Sequence, residues 1–205
     1  MVDISTIYLT IGGTDDSVEA ELRDAIEPQQ LADWKLLWQP ALIDVLKQRY
    51  QASGFKDFPE NWHWDWQGKM AAVAGLLAYQ GFSVVLGGET QGLSRVDLTG
   101  HGRESSQVGK PIVYVDYLEV APWNRRDLGF DPPRYGGVGS ALLVAAVALS
   151  EGEGFHGRVG LHSLPRADDF YRKCGFSDLG PDSTVQNLRY FEITAERARA
   201  FLEKE

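Results

Sequence analysis

Cysteine is almost missing from this chain: Cys174 stands alone among 205 residues. One thiol makes neither an internal disulfide nor a thiolate metal cage, so the expected setting is a reducing one, the cytoplasm. Long apolar runs are missing too. The longest, Val138 to Leu149, falls short of the roughly 20 residues that cross a bilayer, so no membrane partner is expected. Met1-Val2-Asp3 lacks the basic start and apolar stretch of a secretory leader. Positive charge is scarce: 20 Lys and Arg against 29 Asp and Glu leave a net charge of −9. That balance argues against broad nucleic-acid binding, which needs a basic face. It leaves room for a small anion held by a few local arginines. No internal repeat and no low-complexity tract appears, and no metal site is expected.

What is present is ordinary globular material, 43% hydrophobic and 24% charged, at a length that suits one domain with a sizeable core. Ile4 to Ile11 (ISTIYLTI) reads as a strand stopped by Gly12-Gly13. Asp16 with Glu19 three residues on predicts a helix over 17–26. Leu31, Trp34, Trp38, Leu42, Val45 and Leu46 recur at helical spacing, with Pro40 giving two helices or one kinked helix. Trp62, Trp64 and Trp66 alternate at period two; in a strand all three rings would share one face, lining an acceptor pocket or a packed core. A short helix is expected around Met70 to Tyr79. Strands follow at 82–86, 93–98, 111–120, 158–162 and 188–193, a loop at 99–109, a short helix at 166–173, and a helix capped by Thr194. Mixed helices and strands make this an α/β or α+β domain.

The stretch with the most chemistry is Arg134-Tyr135-Gly136-Gly137-Val138-Gly139, directly before an almost wholly apolar helix. Glycines there serve either a tight turn or a phosphate cradle. Two named phosphate motifs fail. The dinucleotide pattern would need glycine where Leu142 stands, and a P-loop would need a lysine after Gly139. The order strand, loop, glycine bend, helix still aims backbone N–H groups and a helix N-terminus at one point. Arg134 would add a charge-assisted hydrogen bond.

This loop resembles the R/Q-x-x-G-x-G/A pyrophosphate loop of the GNAT N-acetyltransferase superfamily. Leu118-Glu119-Val120-Ala121-Pro122 is similar to the strand end that precedes that loop in the family. The segment Ala167 to Phe176 (ADDFYRKCGF) resembles the family's A-x-x-F-Y-x-K-x-G-F. The likeness covers roughly residues 82–193; residues 1–80 carry no recognisable motif. It implies a mostly antiparallel sheet splayed between two parallel strands, with helices on both faces and extra N-terminal helices. Residues 1–80 would form the acceptor side, 82–193 the coenzyme-binding core, and 194–205 a closing helix.

The resemblance further implies acetyl-CoA as cosubstrate and an amine as acceptor, with a homodimer compatible. Backbone groups of Leu118 and Val120 would pair with the pantetheine arm. Arg134, Tyr135, Gly136, Gly137, Val138, Gly139 and Ser140 would hold the pyrophosphate. Tyr171 matches the family tyrosine that protonates the coenzyme thiolate; its other reading is a core aromatic. The family often carries a carboxylate base on the strand before the loop, here Asp116 or Glu119, which alternation turns to opposite sides. Asp116 shares parity with Leu118 and is the first choice, a salt-bridged strand carboxylate being its alternative. Leu164 stands where an asparagine is usual, and Ser163 is the substitute contact. His162 is a base, an acceptor ligand or structural. The segment from Trp123 to Pro133 is longer than the family's connection, as a lid or a solvated loop. A GNAT-like module that binds coenzyme or a partner without turnover is the second functional reading. Cys174 sits at a variable position of the matched segment with nothing adjacent to lower its pKa, a poor nucleophile.

Overall fold

The computed structural model describes residues 2–204. It opens with an antiparallel pair, β1 (Ile4–Ile11) and β2 (Ser17–Arg23), in register from Ile4↔Arg23 to Thr10↔Ser17. Residues 17–23 are therefore a strand, not the expected helix. Val18, Ala20 and Leu22 alternate with Glu19, Glu21 and Arg23, and that period of two outweighs the Asp16–Glu19 capping pattern.

α1 (Pro28–Asp33) runs through a π-helical turn, Trp34–Trp38, into α2 (Gln39–Ser53). This settles the effect of Pro40. It lies in the first turn of α2, where a missing N–H costs little, and the wide turn before it keeps the helix continuous. α3 is only Trp66–Ala71, capped by Asp65 through Gln67 N at 3.1 Å. Gly75 at φ +79° lies beyond its end, so the helix expected to reach Tyr79 stops early.

β3 (Tyr79–Leu86) and β4 (Glu89–His101) are joined by Gly87 and Gly88, both at positive φ, the two-residue turn that suits strand twist. β4 absorbs the first three residues of the expected 99–109 loop. β5 (Pro111–Val120), a two-residue β6 (Tyr135–Gly136), α4 (Val138–Gly152) and β7 (Val159–Ser163) follow. The chain ends with α5 (Asp168–Lys173), β8 (Ser177–Asp182), β9 (Leu188–Ile193) and α6 (Ala195–Leu202), the last capped by Thr194. β8 contains Gly180 and Pro181 and a register shift between Asp178 and Pro181, which hid it from pattern reading. The strands form one open nine-stranded sheet, β6-β1-β2-β3-β4-β5-β7-β9-β8, with a parallel β5/β7 pair.

Two compact units share the chain. One holds residues up to Leu76 with Ser83–Leu93 and Glu119–Val138; the other holds Leu77–Phe82, Ser94–Leu118 and Gly139 onward. The first packs Leu9, Trp34, Trp38, Leu42, Trp66 and Val84. The indole N–H of Trp38 donates to Thr90 O at 3.0 Å, and Asp33 accepts from the Thr90 hydroxyl at 2.6 Å. The second packs Leu142, Leu143, Ala146 and Val147 of α4 with Val113, Leu161, Phe191 and Ile193 in its core. This is what the apolar sequence of α4 predicts.

Gly160 is held to glycine by space. A Cβ there would lie 2.4 Å from the Tyr190 hydroxyl and 2.7 Å from Ile112 Cδ1. Gly160→Ala is expected to cost about 1–3 kcal/mol by overpacking, read as a thermal midpoint several degrees lower. An unchanged midpoint would contradict the close approach.

Candidate active site

The parallel pair β5/β7 is in register over Val113↔Val159, Tyr114↔Gly160 and Val115↔Leu161. Past Val115 and Leu161 no pairing joins the two strands among the described residues, although β5 runs to Val120 and β7 to Ser163. The main-chain groups of Asp116–Leu118 and of His162–Ser163 thus lie beyond the end of the β5/β7 ladder, a wedge in the pairing. Strand edges that open in this way accept an extended, amide-bearing arm through backbone hydrogen bonds.

The glycine stretch begins in β6, the strand that pairs with β1. Tyr135 and Gly136 pair with Ile11 and Thr10, and Tyr135 N donates to Asn124 Oδ1 at 3.0 Å. Gly137 has φ +87°, a left-handed turn that puts Val138 directly into α4. The first amides of α4, from Val138 to Ser140, have no acceptor inside the helix and carry its positive end. Gly139 is needed for a different reason: a Cβ would meet the Phe170 ring at 3.0 Å. Arg134 is half-exposed, 3.1 Å from Glu89 and stacked near the Tyr135 ring.

The two strand carboxylates have unlike surroundings. Asp116 is in close ion pair with Arg95, whose guanidinium lies over the Tyr79 and Tyr117 rings. Glu119 is buried, and its two oxygens accept from Asn61 Nδ2 at 2.6 Å and from the Trp66 indole N–H at 2.5 Å. Burial pushes its pKa up to about 7, against the opposing pull of Trp66, Arg125, Lys69 and Asn61.

Trp66 therefore points inward onto a carboxylate, whereas Trp62 is exposed, and the segment between them turns rather than extends. The single-face tryptophan strand does not form. The 123–133 segment is neither free nor solvated throughout. Trp123 and Asn124 donate to Gln91 Oε1 at 2.9 and 3.0 Å, Leu128 is buried, and Arg125 donates to Asn61 Oδ1 at 3.1 Å. Arg125, Asn61 and Glu119 thus form one hydrogen-bonded chain.

Tyr171 is buried among Phe170, Phe176 and Phe191, with ring centroids 5.1 to 5.9 Å away. Burial holds its hydroxyl proton far more tightly than in water. The Ser163 hydroxyl is buried and donates to Leu164 O at 2.9 Å. Cys174 is a buried free thiol.

A relay appears that pattern reading had left in pieces. His162 Nδ1 lies 2.6 Å from the Tyr114 hydroxyl and its Nε2 lies 3.0 Å from Asp182 Oδ2, with Arg103 on the same carboxylate. Burial lowers the His162 pKa and the hydrogen bonds of Thr184 and Arg103 keep Asp182 ionised. The neutral ring then donates to Asp182 from Nε2 and accepts the tyrosine proton at Nδ1. Tyr114 and His162 sit where the β5/β7 wedge begins. Period two on β5 marked Tyr114 as a neighbour of Asp116, but nothing local to His162 pointed to a partner on β8. Among the described residues no cluster of His, Cys, Asp and Glu suits a metal ion, and no helix is long and apolar enough to cross a membrane.

No family model matches the sequence, and no curated protein matches it significantly. Solved structures do match in fold. The GNAT domain of S. lividans PAT is 16% identical and superposes with TM-score 0.55, covering 93% of this chain and 96% of its own. The paia N-acetyltransferase from Thermoplasma acidophilum, in complex with coenzyme A, is 12% identical at TM-score 0.54, covering 85% of this chain and 98% of its own. Mycobacterium smegmatis RimJ, in complex with CoA-disulfide, is 15% identical at TM-score 0.53, covering 98% of this chain and 94% of its own. With the wedged parallel strands and the glycine turn into α4, this chain has the fold of the GNAT acetyltransferases.

Proposed function

We propose that the chain is an acetyl-CoA-dependent N-acetyltransferase in which a primary amine attacks the thioester directly. The observation that carries this reading is the wedge between β5 and β7, with a positive-φ glycine at the start of α4 in the chain between the two strands. In this reading main-chain groups of Leu118 and Val120 pair with the pantetheine arm, with Ser163 as a neighbouring contact. Arg134 and the amides from Gly136 to Ser140 hold the pyrophosphate, with Tyr135 as a side-chain neighbour because its own N–H is taken by Asn124. The amine nitrogen bonds to the carbonyl carbon, and the resulting oxyanion collapses by breaking the carbon–sulfur bond. Tyr171 gives its proton to the departing thiolate.

For the proton lost by the amine, Glu119 fits better than Asp116. Asp116 is committed to Arg95, while the proton affinity of Glu119 lies near neutrality, where a general base works best. The net charge of −9 favours cationic acceptors, such as polyamines or lysine side chains, through long-range attraction.

The test is coenzyme release from acetyl-CoA across a panel of amines. Thermal stabilisation by acetyl-CoA, but not by ATP or NAD, with thiol release for at least one amine, is the expected result. Stabilisation without release from any amine would leave a binding module; no stabilisation would sink both readings. Tyr171→Phe removes only a hydroxyl from a packed ring. It is expected to lower kcat by about 10²–10⁴-fold with little change in thermal midpoint. Unchanged turnover at saturating acetyl-CoA would end the acid role.

A further inference from the structure

The first strand leaves most of one edge bare. β1 pairs with β2 along its whole length, but on its other side β6 covers only Thr10 and Ile11. Among the described residues, Ile4 to Leu9 therefore present an unpaired row of main-chain donors and acceptors. The sequence of that edge is ISTIYL, with no charge, proline or glycine. Natural edge strands are usually blunted by lysine, proline, a bulge or a covering loop. None of these devices is present here. Ile4 is 51% and Tyr8 68% exposed, and both lie on the same face of the strand with Thr6 between them.

We propose that two copies of this chain associate through β1, their first strands paired antiparallel about a two-fold axis at Thr6. Period two restricts the axis to one that passes through a residue, because opposed residues must share a face, and the exposure of Ile4 and Tyr8 on an edge covered from Thr10 onward selects Thr6. Centring on Thr6 sets Thr6 against Thr6 and brings each Ile4 opposite the other copy's Tyr8. Aromatic to β-branched and threonine to threonine pairs are among the favourable cross-strand contacts. The same operation covers both exposed apolar side chains twice, as an isologous interface requires.

Charge does not oppose the pairing. Asp3, just before the strand, falls opposite the other copy's Leu9 in this register, six positions from the other Asp3. Glu19, Glu21 and Arg23 are on β2, opposite Tyr8, Thr6 and Ile4. In the pair of copies the two β2 strands lie three strand spacings apart, about 14 Å. That exceeds the roughly 8 Å screening length at physiological salt. The interface rests on one strand and is small, so the dimer is expected to depend on concentration.

Sedimentation velocity over a concentration series reads the association. The unaltered chain is expected to shift from monomer to dimer, and Tyr8→Lys to raise the dissociation constant roughly tenfold or more. Register is read by oxidative cross-linking in a Cys174→Ser background. Thr6→Cys meets its own copy and is expected to give a covalent dimer. Ser5→Cys lies opposite Ile7, beyond the ~7 Å reach of a disulfide, and is expected to stay monomeric on a non-reducing gel. A chain that is monomeric at all concentrations would overturn the proposal, as would a dimer indifferent to Tyr8→Lys. Cross-linking through Ser5→Cys but not Thr6→Cys would do the same. None of these readouts involves acetyl-CoA, so the dimer and the acyl-transfer reading fail separately.

Discussion

Glu119→Gln is expected to change both the pH dependence of stability and the rate. Burial raises the Glu119 pKa from 4.5 to about 7 in the folded chain, so folding favours its neutral form. That contribution is complete below about pH 4.5 and disappears as pH rises through 7. Its full size is about 3 kcal/mol. Glutamine keeps the shape and cannot ionise, so the variant is expected to lose this slope. Its amide also sets one N–H against a donor, either Asn61 Nδ2 or the Trp66 indole, at a cost of about 1–3 kcal/mol.

The rate should follow the same group in the opposite sense. A base must be unprotonated, so wild-type kcat/KM is expected to rise with pH up to about 7. In Glu119→Gln that limb should vanish and the rate fall about 10²–10⁴-fold. Urea denaturation at a series of pH values, with rates measured on the same samples, separates the two roles. A rising limb that survives in the variant would remove Glu119 from the chemistry and leave it as the anchor of Trp66 and Asn61. Parallel stability curves would contradict the raised pKa itself.

The second large effect is expected at Gly137. Its φ of +87° lies where a β-branched residue is strained, while a Cβ would find only Leu9 Cδ2 at 3.8 Å. Gly137→Val should therefore leave the fold intact and move the backbone out of the left-handed region. The amides of Val138 to Ser140 would turn with it. Acetyl-CoA affinity is expected to fall about 100-fold or more, as several charge-assisted hydrogen bonds at a helix N-terminus are lost together. The thermal midpoint without ligand should move by only a few degrees. Gly139→Ala is the contrasting control, since its Cβ strikes the Phe170 ring at 3.0 Å and taxes packing first. Isothermal titration of Gly137→Val that returned wild-type affinity would overturn the pyrophosphate assignment.

The parts that were readable in the sequence are those whose physics is local. The glycine turn before an apolar run, the β-branched stretch of β5 and the Phe170-Tyr171 segment each carry their meaning within a few residues. In β2 two local signals compete, and the capping pattern at Asp16, which points to a helix, is the weaker of them. The tryptophans failed because period two persists through a turn that only tertiary contacts define. The unlike surroundings of Asp116 and Glu119 are beyond the reach of the sequence for a different reason. They depend on Arg95 for one, and on Asn61 and Trp66 for the other, and those partners are distant in sequence and close in space. The partners of His162, Tyr114 and Asp182, are hidden in the same way.

The pairing of Thr10 with Gly136 also sets a clock. During synthesis β1 and β2 can zip together at once, but Gly136, which pairs with Thr10, is made more than a hundred residues later. At ~5–20 residues per second the hairpin waits on the order of ten seconds for it. Throughout that interval the bare edge of β1 runs its full length, Thr10 and Ile11 included. For the proposed β1 dimer, this would make the nascent chain most open to pairing with a neighbour on the same messenger while the glycine turn does not yet exist.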